Sequence, residues 1–246
     1  MFEDVFQNLL ADPVSSLGLL AFYILLVSLP LSLIALFNKS LSSLVSSTTI
    51  VVNIILAFQL FCRWIISSHF PISNLFESLC FLTWGLTLAQ LLLHNEYQSS
   101  VIPCVAIPAS LITLGFACFV LPDDLRIASN LVPALRSSWL MMHVSVVMLS
   151  YSALILGSLL SASVLIIENK KPLQIRSNSI GIGGYTNFNS SRFNPLTNES
   201  DFSHSEKLDT LSYRSILIGF FLLTLGLITG AIWANEAWGT WWSWDP

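Results

Sequence analysis

Six apolar runs, each about as long as a bilayer is thick, dictate what this chain can fold into. They lie at about residues 17–37, 49–66, 75–93, 101–120, 139–167 and 215–233. A run of roughly 20 apolar residues crosses the hydrocarbon core as a helix. Lipid offers no water to backbone N–H and C=O groups, so only helices and closed barrels can span it. The runs are continuous and do not alternate every second residue, which argues against a barrel. The expected fold is all-α, a polytopic transmembrane helix bundle of about six spans.

Composition agrees. Of 246 residues, 54% are hydrophobic and 10% charged, against roughly 25% charged in an ordinary soluble domain. The net charge of -4 is scattered along the chain, with no basic stripe for a phosphate backbone, which sets nucleic acid aside as a partner and leaves the lipid bilayer. Residues 1–11 are acidic and lack the basic n-region of a cleaved signal, so the first run reads as a retained span. Cys62, Cys80, Cys104 and Cys118 fall inside apolar runs without C-x-x-C spacing and read as packing thiols. The chain has no C-x-x-C-H, the site at which a c-type haem is attached covalently.

The expected organisation is five transmembrane helices over 1–167, a polar inward loop over 168–212, a sixth helix over 213–233, and the start of an outward tryptophan-rich segment over 234–246. The loop is rich in Ser, Asn and Gly with almost no apolar periodicity. Orientation follows from the basic residues. Lys39, Lys170, Lys171, Arg176, Arg192, Lys207 and Arg214 fall on one side, and Arg63, Arg126 and Arg136 on the other. The richer side is the cytoplasmic or stromal one, so the chain beyond the sixth span faces outward.

That outward end holds five of the eight tryptophans: Trp233, Trp238, Trp241, Trp242 and Trp244. An interfacial aromatic belt is the ordinary use of Trp at a helix end. Four indoles within the seven residues 238–244 exceed what a belt needs. In a turn that Gly239 can bend, they would form a flat apolar platform complementary to a planar macrocycle such as haem. Indole does not ligate iron, so a histidine is needed. His143 lies one turn into the fifth run, at the outward depth of the tryptophans, where an ionisable side chain is costly. Position alone leaves an iron ligand and a satisfied packing histidine both open. His69, on the outward link between the second and third spans, reads as a surface residue or a second ligand. His94 and His204 read as solvated. Arg126 and Arg136, beside Asp123 and Asp124, are candidates for clamping haem propionates.

Three stretches carry a resemblance: 233–246 (W-A-N-E-A-W-G-T-W-W-S-W-D-P), 71–79 (P-I-S-N-L-F-E-S-L) and 139–151 (W-L-M-M-H-V-S-V-V-M-L-S-Y). On them the sequence resembles the CcsA family of cytochrome c biogenesis proteins, membrane haem handlers with a tryptophan-rich WWD domain. The resemblance implies that haem, as haem b, is presented on the outer face for attachment to apocytochrome c. It implies that His143 is an axial ligand of the haem iron, and that Trp238, Trp241, Trp242, Trp244 and Asp245 belong to the WWD segment. It further implies a CcsB-type membrane partner and an apocytochrome with a C-x-x-C-H motif, the chain acting as one component of a haem-attachment complex. A plastid (chloroplast) thylakoid membrane with the tryptophans lumenal is the implied location, with a bacterial plasma membrane as the alternative. Phe76 stands where many relatives have Tyr. Family members continue past the equivalent of Pro246 through further spans with another external histidine, so the second axial ligand is expected outside these residues.

A reading of another class is a transporter or channel subunit whose tryptophans anchor it at the interface. It would need charged groups within the spans, and Arg63 and Glu77 are the candidates.

Overall fold

A computed structural model describes residues 13–97, 99–122, 125–126, 137–168 and 204–242. They form helices α1 (Pro13–Ala35), α2 (Ser42–Ser67), α3 (Leu75–Tyr97), α4 (Val101–Gly115), α5 (Ser138–Glu168) and α6 (His204–Trp238), with a single 3-10 turn at Lys39–Leu41 and a π-turn at Phe116–Val120. All six helices, α4 taken with its π-turn, are long and apolar enough to cross a membrane. The chain is therefore an all-α, multi-pass bundle, as the apolar runs require.

Helix ends depart from the ends of the apolar runs. The second run begins at Thr49, yet α2 starts at Ser42. Its first turns are Ser- and Thr-rich, and their hydroxyls fold back onto the helix: Ser46 Oγ donates to the Ser42 carbonyl (3.1 Å), Ser47 Oγ to Ser43 (2.9 Å) and Thr48 Oγ1 to Val45 (2.8 Å). A hydroxyl satisfied in this way lets a polar stretch stay helical. At the inward end of α6, Leu208 and Leu211 are fully buried against Ile102, Ala106, Leu156 and Leu160. Helix therefore begins at His204, inside the stretch whose composition reads as loop; the loop residues 169–203 lie outside the described residues.

Helices α1 to α4 enclose one apolar core built on Leu25, Leu56, Phe76, Ile107 and Leu114. Its α2–α3 seam carries a run of polar pairs from one end of the two helices to the other. Arg63 meets Glu77 at the outward end (3.0 Å), and Gln59 Nε2 lies 3.8 Å from Cys80 Sγ. Asn53 Nδ2 donates to Thr87 Oγ1 (2.9 Å), Gln90 Nε2 to Thr49 Oγ1 (3.1 Å), and Ser42 Oγ pairs with His94 Nε2 (3.3 Å) at the inward end. Side-chain hydrogen bonds between membrane helices contribute about 0.6 kcal/mol each on average. Their larger effect here is to fix the register of two otherwise greasy helices. His94, read from sequence as solvated, is half-buried, with its Nδ1 3.2 Å from the Ser99 carbonyl.

Helix α5 packs across α3, and α6 lies along α5. Small residues let those two backbones approach. A Cβ added at Gly219 would sit 2.7 Å from Leu154 Cγ and 3.1 Å from the Leu154 backbone nitrogen. At Gly226 it would sit 2.5 Å from Val147 Cγ2. Close approach brings serine hydroxyls within reach of the opposite backbone: Ser150 Oγ donates to the Gly219 carbonyl (2.7 Å), Ser215 Oγ to Ala153 (2.7 Å) and Ser212 Oγ to Gly157 (3.0 Å). Gly219→Val should thus overpack the Leu154 contact locally and weaken the Ser150 bond, a cost of about 1 to 3 kcal/mol. A thermal melt in detergent reads that loss; an unchanged midpoint would mean that the α5–α6 contact does not limit stability.

Candidate functional site

The end of the α5–α6 hairpin formed by the start of α5 and the end of α6 carries several of the sequence candidates. His143 sits in the second turn of α5, and its Nδ1 lies 2.7 Å from the carbonyl oxygen of Gly226 on α6. A carbonyl oxygen only accepts, so Nδ1 carries the proton and donates it. The lone pair is then on Nε2, which makes no hydrogen bond among the described residues. This is the orientation that metal-ligating histidines adopt, one nitrogen held by a backbone carbonyl and the other presented.

Two glycines one turn apart shape the slot for the ring. A Cβ at Gly230 would lie 2.6 Å from both Cε1 and Nδ1 of His143. Only a residue without a side chain allows the imidazole to rest against α6 while reaching the Gly226 carbonyl. The stretch 226–230 reads G-L-I-T-G, the small-x-x-x-small spacing of close membrane-helix contacts. That signal is present in the sequence, but a reading by hydropathy does not register it.

Past the slot, α6 carries the tryptophans. Trp233 is half-buried and meets Trp238 edge to face, centroids 4.8 Å apart at 64°. Trp238, Trp241 and Trp242 are 54%, 60% and 73% exposed. By helix rise, Trp238 stands about 12 Å outward of Gly230. The helix stops at Gly239, whose φ of 75° is left-handed and whose N–H closes on the Asn235 carbonyl at 2.9 Å. Glycine is the residue that takes this conformation without strain, so the chain bends where the sequence places the bend. Beneath the shelf, Ser137 Oγ donates to Glu236 Oε2 (3.1 Å), tying the start of α5 to the end of α6.

His143 and three of the expected shelf tryptophans, Trp238, Trp241 and Trp242, are thus carried at the same end of one helix pair. Trp244, Asp245, Arg136, Asp123 and Asp124 lie outside the described residues. His204 opens α6 at the other end of that helix. His69 lies on the outer link, half-buried, with Nδ1 3.2 Å from the Phe70 carbonyl. Arg126 does not stand as a propionate clamp: it is buried, its Nη2 donates to the Leu121 carbonyl, and its own carbonyl receives both terminal nitrogens of Arg63.

Haem fits this donor set better than a bare ion would. Among the described residues no three His, Cys, Asp or Glu side chains converge to hold a metal. An imidazole with one nitrogen held by a backbone carbonyl, on the same helix pair as exposed indoles, is a donor set that suits iron already carried in a flat apolar ring better than a bare ion. The charges that a transporter reading needs are paired: Arg63 and Glu77 are buried and joined at 3.0 Å.

Comparison with known proteins points the same way. The family model of cytochrome C assembly proteins matches residues 72–246. Over all 246 residues the chain is 68% identical to the cytochrome c biogenesis protein CcsA of Prochlorococcus marinus strain MIT 9215, covering 80% of that protein. Identity is 66% to the protein of the same name from P. marinus subsp. pastoris, of which 78% is covered. With the protein of that name from the NATL2A strain of P. marinus it is 51% over 256 aligned residues, 100% of this chain and 80% of that relative. The chain, whose described residues form six helices long and apolar enough to cross a membrane, belongs to the cytochrome C assembly protein family.

Proposed function

We propose that this chain holds haem at the outer face of the membrane and presents it for covalent attachment to apocytochrome c. The observation that carries this reading is the 2.7 Å bond from His143 Nδ1 to the Gly226 carbonyl, which leaves Nε2 to the iron. Trp238, Trp241 and Trp242 supply the face on which the ring rests, continued by Trp244 and Asp245 of the same segment. The substrate on this reading is haem b, whose vinyl groups are its reactive edge. In the reaction a cysteine thiol of the apocytochrome adds across a vinyl double bond: the S–H bond breaks, a C–S bond forms, and the proton ends on the neighbouring carbon. No electron is gained or lost overall, so what the protein contributes is placement. Fixing two reactants in register removes about 7 to 11 kcal/mol of barrier at most, and an axial imidazole tunes the iron.

The client would be an apocytochrome with a C-x-x-C-H motif, and a CcsB-type membrane protein would complete the complex. The chain acts as one component of that complex. The cyanobacterial source of the relatives suits a thylakoid membrane with the tryptophans on the lumenal side, in a plastid or in a bacterium.

The shelf is tested by replacing Trp238, Trp241 and Trp242 together with Leu, which keeps an apolar anchor and removes the flat faces. Haem affinity of the purified protein should fall about a hundredfold or more, since base–aromatic stacking, a comparable flat contact, is worth about 1 to 3 kcal/mol per ring and three rings are removed. An interfacial belt predicts undiminished haem with altered membrane depth.

A further inference from the structure

The haem site leaves one sequence motif unused, the stretch 71–79. Its residues form a buried ionic knot at the outward ends of α2 and α3. Asn74 Oδ1 accepts the Glu77 N–H (2.8 Å) and caps α3. Glu77 reaches back, its Oε2 receiving the Ser73 N–H (2.9 Å) and Ser73 Oγ (2.8 Å). Its other oxygen receives Arg63 Nη1 (3.0 Å). Arg63 donates both terminal nitrogens to the Arg126 carbonyl, 3.1 Å each, and lies 4.8 Å above the Phe76 ring centroid. The guanidinium and the carboxylate thereby join the end of α2, the link before α3, the start of α3 and the chain leaving α4.

A dry ion pair of this kind is a poor source of stability, because desolvation consumes most of the attraction and apolar residues of similar size often do as well. What it supplies is a fixed geometry. That geometry reaches α5 by direct packing: a Cβ at Gly85 of α3 would meet Ser152 Oγ of α5 at 3.0 Å, and Met148 and Leu149 pack on the same core as Phe76. Met148, Leu149 and Ser152 share a helix with His143. Through these contacts the placement of α3 bears on that of α5, the helix that carries the imidazole.

We infer that Arg63 and Glu77 are positioning residues for the haem site, a role that rests on reading the His143 end as that site. The test uses the full-length protein in cells maturing a cytochrome c, with Glu77→Gln and the doubly neutral pair Arg63→Met with Glu77→Met. The double variant leaves neither member of the pair as an uncompensated buried charge, so it separates placement from folding better than either single change. Positioning predicts that it accumulates as the native protein does and keeps haem. Its Soret band and axial-ligand EPR signature shift, and cytochrome yield falls roughly tenfold, as small misplacements do. A native spectrum and yield would overturn the inference, and so would loss of the protein itself, which makes the pair a folding element only. Absence of haem from the unsubstituted protein would instead remove the site, and with it this role.

Discussion

Cytochrome c maturation should fall at least tenfold to a hundredfold when His143 is replaced by Ala, with the protein still present in the membrane. The range follows from what outer-shell changes at metal sites already cost, and removing a ligand is the larger change. The effect should be specific to ligation. His143 is only half-buried, and its one hydrogen bond goes to a backbone carbonyl. The Gly226 carbonyl has a second donor nearby, since Thr229 Oγ1 lies 2.9 Å from it. Losing the imidazole therefore leaves no stranded group, and the bundle should persist. Imidazole added to His143→Gly cells or membranes should restore part of the yield, because the cavity lies beside a glycine and can accept the free base. Full maturation by His143→Ala at equal protein level would dismiss the ligand role.

The second large effect is expected from a residue that touches no haem. Gly230→Val places carbon where the His143 ring now lies, 2.6 Å from two of its atoms. The ring must rotate away, and rotation breaks the bond that fixes its tautomer. Haem retention should drop toward the His143→Ala level, roughly tenfold or more, while stability falls only by the 1 to 3 kcal/mol or so of an overpacked contact. Gly219→Val, at the same interface but more than two turns inward, is the control: it should lower the melting point comparably and spare the haem. Equal haem loss in both would mean that α5–α6 packing in general is being measured. Comparing haem per folded protein in the two variants decides it.

How much of this was legible in the sequence depended on the kind of force involved. The spans were legible because hydropathy integrates over about 20 residues and the bilayer imposes the length. The Gly239 bend and the outward tryptophans were legible because each depends on residue type at one place. The α2 start at Ser42 was not, since the rescue of its hydroxyls by the helix's own carbonyls does not register on a hydropathy scale. Pairings between helices were hidden for a different reason. Nothing in the separation of Ser42 from His94, or of Arg63 from Arg126, says that the fold brings them together. Arg126, a candidate propionate clamp by sequence, is buried and ties the loop to Leu121 and Arg63. His143 stands out by position, but its partner, the α6 carbonyl at Gly226, lies eighty-three residues away and is visible only in the fold.

Binding of haem iron by His143 Nε2 at the outward end of the hairpin is the hinge of the proposed function. Its most direct test is the absorption and pyridine-haemochrome spectrum of the full-length protein purified in detergent, with and without His143→Ala. Haem b that copurifies with the native protein and is lost, or changes its ligand field, in the variant is the predicted result. Haem absent from both, or present in equal amount with an identical spectrum, would contradict it.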